Sequence, residues 1–107
     1  MIKYFDVEFT SEAIAFINSQ EIEVRDKIYY NIAKAQQIRD SELFKKLSGS
    51  EIWEFRTLYN GKHYRLFSFW DEKRRAYVIC THGIIKKTDK TPQKEIDKAI
   101  NIRKLYT

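Results

Sequence analysis

Residues 52–70 read IWEFRTLYNGKHYRLFSFW, and their pattern decides the fold. Side chains alternate along the first half, with Glu54 and Arg56 on one face and Trp53 and Phe55 on the other, as an extended strand requires. Asn60-Gly61 then supplies two adjacent residues that tolerate positive φ, the demand of a type I′ turn. The stretch is therefore a β-hairpin, with strands at 52–59 and 63–70. Asp71-Glu72-Lys73-Arg74 makes a second turn and leads into a third strand at 76–82, so the hairpin grows into an antiparallel meander.

Before Ser48-Gly49-Ser50 the period is mostly helical. Residues 2–9 are rich in β-branched and aromatic side chains and read as a strand. Thr10 or Ser11 caps a short helix with Ala13, Ile14 and Ile17 on one face. A longer helix spans 21–37, its core stripe formed by Val24, Ile28, Ile32 and Ala35. Residues 40–44 add a helical turn. Beyond the meander, residues 83–90 form a basic loop. Thr91-Pro92 opens a last helix, with Thr at the cap, Pro at the first position, and Ile96, Ala99 and Ile100 buried. The order β-α-α-β-β-β-α defines an α+β domain: an N-terminal strand and two helices, a three-stranded antiparallel meander, and a C-terminal helix. At 107 residues the chain has room for one such domain, 1–107.

Composition excludes several functional classes. Cys80 is the single cysteine, so neither a disulfide framework nor a cysteine zinc site is expected. The two histidines, His63 and His82, lack a matching acidic cluster, and no metal or other cofactor is expected. No apolar run approaches the ~20 residues of a membrane span, and MIKYFDVEFT lacks a signal-peptide core, so the reading is a soluble cytoplasmic domain. No glycine-rich phosphate loop and no Ser-His-Asp pattern is present. Charge is segregated: residues 1–54 carry 7 Lys/Arg against 10 Asp/Glu, whereas residues 55–107 carry 13 against 5. A field so lopsided attracts phosphate backbones, and the expected partner is RNA.

The meander concentrates the candidate site. Arg56 and Arg65 are strand cations, Lys45 and Lys46 precede the hairpin, and Lys86, Lys87 and Lys90 follow the last strand. Tyr59, Tyr64 and Tyr77 are interleaved, a combination suited to single-stranded nucleic acid. The same residue types suit metal-independent RNA cleavage, in which the 2′-hydroxyl attacks the adjacent phosphate. Arginine stays protonated, so Arg56 and Arg65 are clamp candidates, and their truncation should leave folding nearly intact. His82 has the intrinsic pKa for proton transfer and is expected at the end of its strand. A lysine could join the chemistry only if a neighbouring cation lowered its pKa, as in the Lys86-Lys87 pair. His63, after the hairpin turn, reads as exposed, and Cys80 reads as core.

These residues carry a resemblance. Leu43-Phe44-Lys45-Lys46-Leu47, Ile52-Trp53-Glu54-Phe55-Arg56 and Tyr64-Arg65-Leu66-Phe67 together resemble the RelE/ParE toxin superfamily. The string HGIIKKTDKTPQKEIDKA, residues 82–99, looks like its phage-derived, HigB-like branch. The resemblance implies the toxin of a type II toxin–antitoxin system. It further implies an mRNA interferase that cleaves in the ribosomal A site without a metal and so inhibits translation. The implied roles are phosphate grip for Arg56 and Arg65, the basic residue after the last strand for Lys86 or Lys87, and ribosomal RNA contact for Lys45 and Lys46. The implied partner is a helix-turn-helix, HigA-like antitoxin. Two positions depart from RelE. Glu54 stands where RelE has a lysine, and Glu95, Ile96 and Asp97 stand near its helical tyrosine, with Tyr106 too far along to replace it. His82 is the residue expected to supply the missing acid. Two other readings fit the fold: a ParE-like gyrase poison without chemistry, and an inactive RNA- or antitoxin-binding domain.

Overall fold

A computed structural model describes residues 2–88 and 90–107. The chain runs β1 (Asp6–Phe9), α1 (Ser11–Asn18), α2 (Ile22–Gln37), β2 (Phe44–Lys46), β3 (Trp53–Tyr59), β4 (Lys62–Trp70), β5 (Tyr77–Lys86) and α3 (Gln93–Arg103), ending in a single 3-10 turn at Lys104–Tyr106. One five-stranded sheet has the order β1-β5-β4-β3-β2, with β1 parallel to β5 and the remaining neighbours antiparallel. The α+β class matches the reading of the sequence, the element order does so apart from one added strand, β2, and Asn60 (φ 49°) and Gly61 (φ 75°) make the expected turn.

Local boundaries differ from that reading for identifiable reasons. β1 is shorter than 2–9, because Tyr4 N–H donates to the Gln36 carbonyl (2.7 Å) and Gln36 Nε2 to the Phe5 carbonyl (2.9 Å). That segment is tied to the end of α2 and not to β5. Residues 40–44 do turn, with Leu43 and Phe44 N–H both donating to the Asp40 carbonyl, but Phe44 then opens β2. The added strand is held by stacking: the Phe44 ring lies 4.2 Å from Phe55 and 4.8 Å from Trp53. Of the α1 stripe, Ala13 and Ile17 are buried and Ile14 is exposed, while all four α2 positions are buried.

α1 and α2 cover one face of the sheet, where Ile17, Ile28, Ile32, Phe55, Leu66 and Val78 pack together. α3 covers part of the other, packing Ile96 and Ala99 onto Ile52, Phe67, Phe69 and Ile79. Thr10 caps α1 through Ala13 N–H (3.1 Å) and donates its own hydroxyl to the Thr81 carbonyl (2.7 Å). Thr81 is the extra residue of a bulge, since Phe67 pairs with His82 and Ser68 with Cys80. One added residue inverts the facing of all that follows. Ile79 points to the α3 face, and past the bulge His82, Ile84 and Lys86 do so as well. Gly83 thereby turns towards α1, and a Cβ there would lie 2.2 Å from Phe16 Cδ2, so the helix sits this close only over glycine.

Candidate active site

α3 does not extend over the whole of its face. At the uncovered end the alternation of three strands sets charged side chains where an apolar core would otherwise continue. Arg56 of β3 stands opposite Arg65 of β4, and His63 of β4 opposite Lys86 of β5. The Glu54 carboxylate lies at the centre. Its Oε1 is 3.3 Å from Arg65 Nε and 3.5 Å from Arg56 Nε, and its Oε2 accepts from the Thr91 hydroxyl at 3.2 Å. That same hydroxyl oxygen accepts from Lys86 Nζ at 2.8 Å. Arg56 also donates to the Ser41 carbonyl (3.3 Å), with Glu42 Oε2 3.9 Å away. A cavity of about 380 Å³ opens here, lined by Glu42, Arg56, Thr57, Leu58, His63 and Arg65. Three cations against the buried Glu54 and the exposed Glu42 leave a net positive hollow, suited to holding a phosphate through charge-assisted hydrogen bonds.

Burial divides the predicted residues. The Arg65 and Glu54 side chains are only 2% and 3% exposed, while Arg56 retains 13%. Arg65 is therefore an internal ion-pair member as well as a clamp candidate, which corrects the expectation that its removal leaves folding intact. Taking one partner from a buried pair strands the other charge in a poorly solvated site. Lys86 is buried as the last residue of β5, so the strand continues into what the sequence suggested was loop; Lys87 and Lys90 are exposed beyond it. Lys45 is exposed and pairs with Glu54 across β2 and β3, and Lys46 reaches Glu51 at 3.8 Å.

Two predicted residues lie elsewhere. Tyr64 is buried in the core beneath α1 and α2, on the face opposite the clamp, and offers no ring for stacking. His82 is not at a strand end but within β5, at 1% exposure. Its ring stacks on Phe67 (4.8 Å between centroids), its Nδ1 lies 2.9 Å from Thr81 Oγ1, and its Nε2 lies 3.1 Å from Glu95 Oε1. Burial pushes its pKa below the ordinary 6.5 and Lys98 acts in the same direction, against the opposing pull of Glu95 and Glu12. These contacts bind α3 to the sheet. Cys80 is wholly buried, and burial pushes its thiol pKa up, so it is unreactive core. Tyr106 packs on Phe69 under α3, at 5.6 Å. Among the described residues no group of His, Cys, Asp and Glu could hold a metal ion, and no helix is long and apolar enough to cross a membrane.

Sequence reasoning undervalued two members of the cluster. His63, read as exposed, lines the cavity with Nδ1 3.5 Å from Arg65 Nη2; its spacing of two from Arg65 in a strand already put them on one face. Thr91, read as a helix cap, has its hydroxyl in the site instead. Pro92 occupies the cap with no side-chain bond, so α3 forgoes about 1 kcal/mol of capping.

The architecture is that of the RelE fold. An arginine-to-alanine double mutant of the E. coli toxin RelE in the free state superposes with a TM-score of 0.64 at 16% identity, covering 95% of this chain and 98% of that one. The E. coli RelBE toxin–antitoxin complex contains a chain matching at TM-score 0.54 and 13% identity, over 80% of this chain and 99% of that one. No curated protein matches the chain in sequence. Residues 15–104 match the family described as Phage derived protein Gp49-like (DUF891), and the chain belongs to that family.

Proposed function

We propose that this protein is the toxin of a type II toxin–antitoxin pair, and that it acts as a ribosome-dependent mRNA endoribonuclease. The observation that carries the reading is the convergence of Arg56, Arg65 and Lys86 on one uncovered sheet face, beside a cavity able to admit a phosphate. The RelE fold and the Gp49-like family support the toxin assignment, and the RelBE complex supports an antitoxin as partner.

In this reading the mRNA 2′-hydroxyl gives up its proton to a base and attacks the adjacent phosphorus. The bond to the 5′-oxygen breaks and that oxygen takes up a proton, leaving a 2′,3′-cyclic phosphate, while Arg56 and Arg65 neutralise the charge gathering on the phosphate oxygens. Stabilisation by fixed donors of this kind accelerates a reaction by up to ~1000-fold per donor. Arginine can only donate, so its contact with His63 leaves Nδ1 as acceptor and directs Nε2–H away, as a further donor for the substrate. His63 thus replaces the buried His82 as the imidazole in reach of RNA. Glu54, within 3.5 Å of both Nε atoms, holds the two guanidiniums in place before substrate arrives. Lys45, Lys46, Lys87 and Lys90 extend the positive surface towards ribosomal RNA and mRNA, and a helix-turn-helix, HigA-like antitoxin would cover it.

The test is growth and translation: expression should arrest translation in a host lacking the antitoxin, and Arg56→Ala should relieve the arrest without loss of protein. Unchanged translation under wild-type expression would refute the reading. Arrest of DNA supercoiling with intact mRNA would replace it with a gyrase poison.

A further inference from the structure

Thr91 precedes Pro92 at the mouth of α3, where its hydroxyl could accept the first free N–H groups of the helix. It does not do so. The helix begins at Gln93 with Pro92 in the cap and no side-chain cap bond. The Thr91 hydroxyl points back into the charged cluster, accepting from Lys86 Nζ at 2.8 Å and donating to Glu54 Oε2 at 3.2 Å. A single oxygen therefore joins the last residue of β5 to the central carboxylate of β3.

We propose that Thr91 is the positioning residue of this site: its hydroxyl fixes the Lys86 ammonium against Glu54 and so sets where the third cation stands. Lysine presents a compact charge on a stem of four rotatable carbons, unlike the rigid fork of arginine, so the contacts of its ammonium decide where the charge stands. Arg56 and Arg65 are held by the sheet and by Glu54 directly. Lys86 lies at the strand end, where the ladder stops, and among its contacts the Thr91 hydroxyl bridges it to the same carboxylate. The hydroxyl suits this role because it accepts and donates at once; a methyl in its place would do neither. The role rests on the nuclease reading of the same cluster, and it concerns the rate of the chemical step more than substrate affinity.

The experiment pairs an activity-independent readout with a kinetic one. The Lys86 ammonium is followed by ¹H–¹⁵N NMR in the full-length protein, assigned through Lys86→Met, and compared across Thr91→Val, Thr91→Ala and Thr91→Ser. Cleavage of mRNA on programmed ribosomes is measured for the same proteins, with circular dichroism to confirm folding. Wild type and Thr91→Ser should show a protected Lys86 signal and similar kcat. Thr91→Val and Thr91→Ala should lose the signal and fall roughly 10- to 100-fold in kcat, the scale of a small misplacement of a reacting group, with half-saturation little changed. Added to Lys86→Met, Thr91→Val should cause no further loss. A Lys86 signal that survives in the hydroxyl-free variants overturns the proposal, as does a rate loss that Thr91→Ser shares. Should wild type fail to cleave, the nuclease reading falls, and the Lys86 signal alone still decides whether Thr91 positions the lysine.

Discussion

Arg65 Nε and Glu54 Oε1 lie 3.3 Å apart, with both side chains buried at the base of the charged cluster and Arg65 lining its cavity. The pair makes one residue serve both the site and the fold. Arg65→Ala should destabilise the protein by up to about 3–5 kcal/mol, because the Glu54 carboxylate stays buried with its nearer cation gone and only the more exposed Arg56 and the Thr91 hydroxyl beside it. Glu54→Leu with Arg65→Met, which removes both charges, should cost markedly less than either truncation alone. Urea denaturation of the three variants checks this, and additive losses in the double variant would contradict it.

Arg56 offers the cleaner functional probe. It keeps partial exposure, and Glu54 retains Arg65 when it is gone. Arg56→Ala should shift stability by no more than about 1 kcal/mol. It should also slow cleavage on the order of 100-fold. Binding to a non-cleavable oligonucleotide should lose about 0.7 from its salt slope, one phosphate contact on a single strand. A variant that melts early, or one that cleaves normally, would place Arg56 outside the clamp.

His82 gives stability an acid limb. Its pKa is lowered in the folded protein, chiefly by burial, so as pH falls the unfolded chain takes up the proton first. The stability of the neutral ring is complete above its ordinary value of 6.5 and is lost progressively below it. Thermal melts from about pH 7.5 to about pH 5.5 should therefore fall more steeply for wild type than for His82→Gln. Parallel curves would show that the imidazole does not titrate against the fold.

Gly83 tests the bulge. A methyl there would meet the Phe16 ring at 2.2 Å, so Gly83→Ala should cost roughly 1–3 kcal/mol. Combined with Phe16→Ala, which clears the ring, the alanine should cause little extra loss. Losses that simply add would place the strain elsewhere.

Much of this architecture was legible in the residues. The alternation of 52–70 and the Asn60-Gly61 turn fixed the hairpin, and parity put Glu54 and Arg56 on one face; Arg65 joins them through the strand register, Arg56 opposite Arg65. The bulge was not legible, because nothing in IleCysThrHis announces which residue is extra; without it His82 and Lys86 fall on the wrong side of β5. β2 was missed because its three residues gain their extended form from the Phe44–Phe55 stack, a contact distant in sequence. Thr91 was misread for a related reason: Thr-Pro is the local signal of a helix start, and a tertiary hydrogen bond overrode it. Tyr64 looked like a stacking residue because tyrosine serves core and surface alike.

The most direct test of the central claim is in vitro translation of a defined mRNA with the purified protein, read by primer extension beside Arg56→Ala. New 5′ ends within the reading frame should appear with wild type, require ribosomes, and fade in the variant. Full-length mRNA at every protein concentration, with translation uninhibited, would contradict the account.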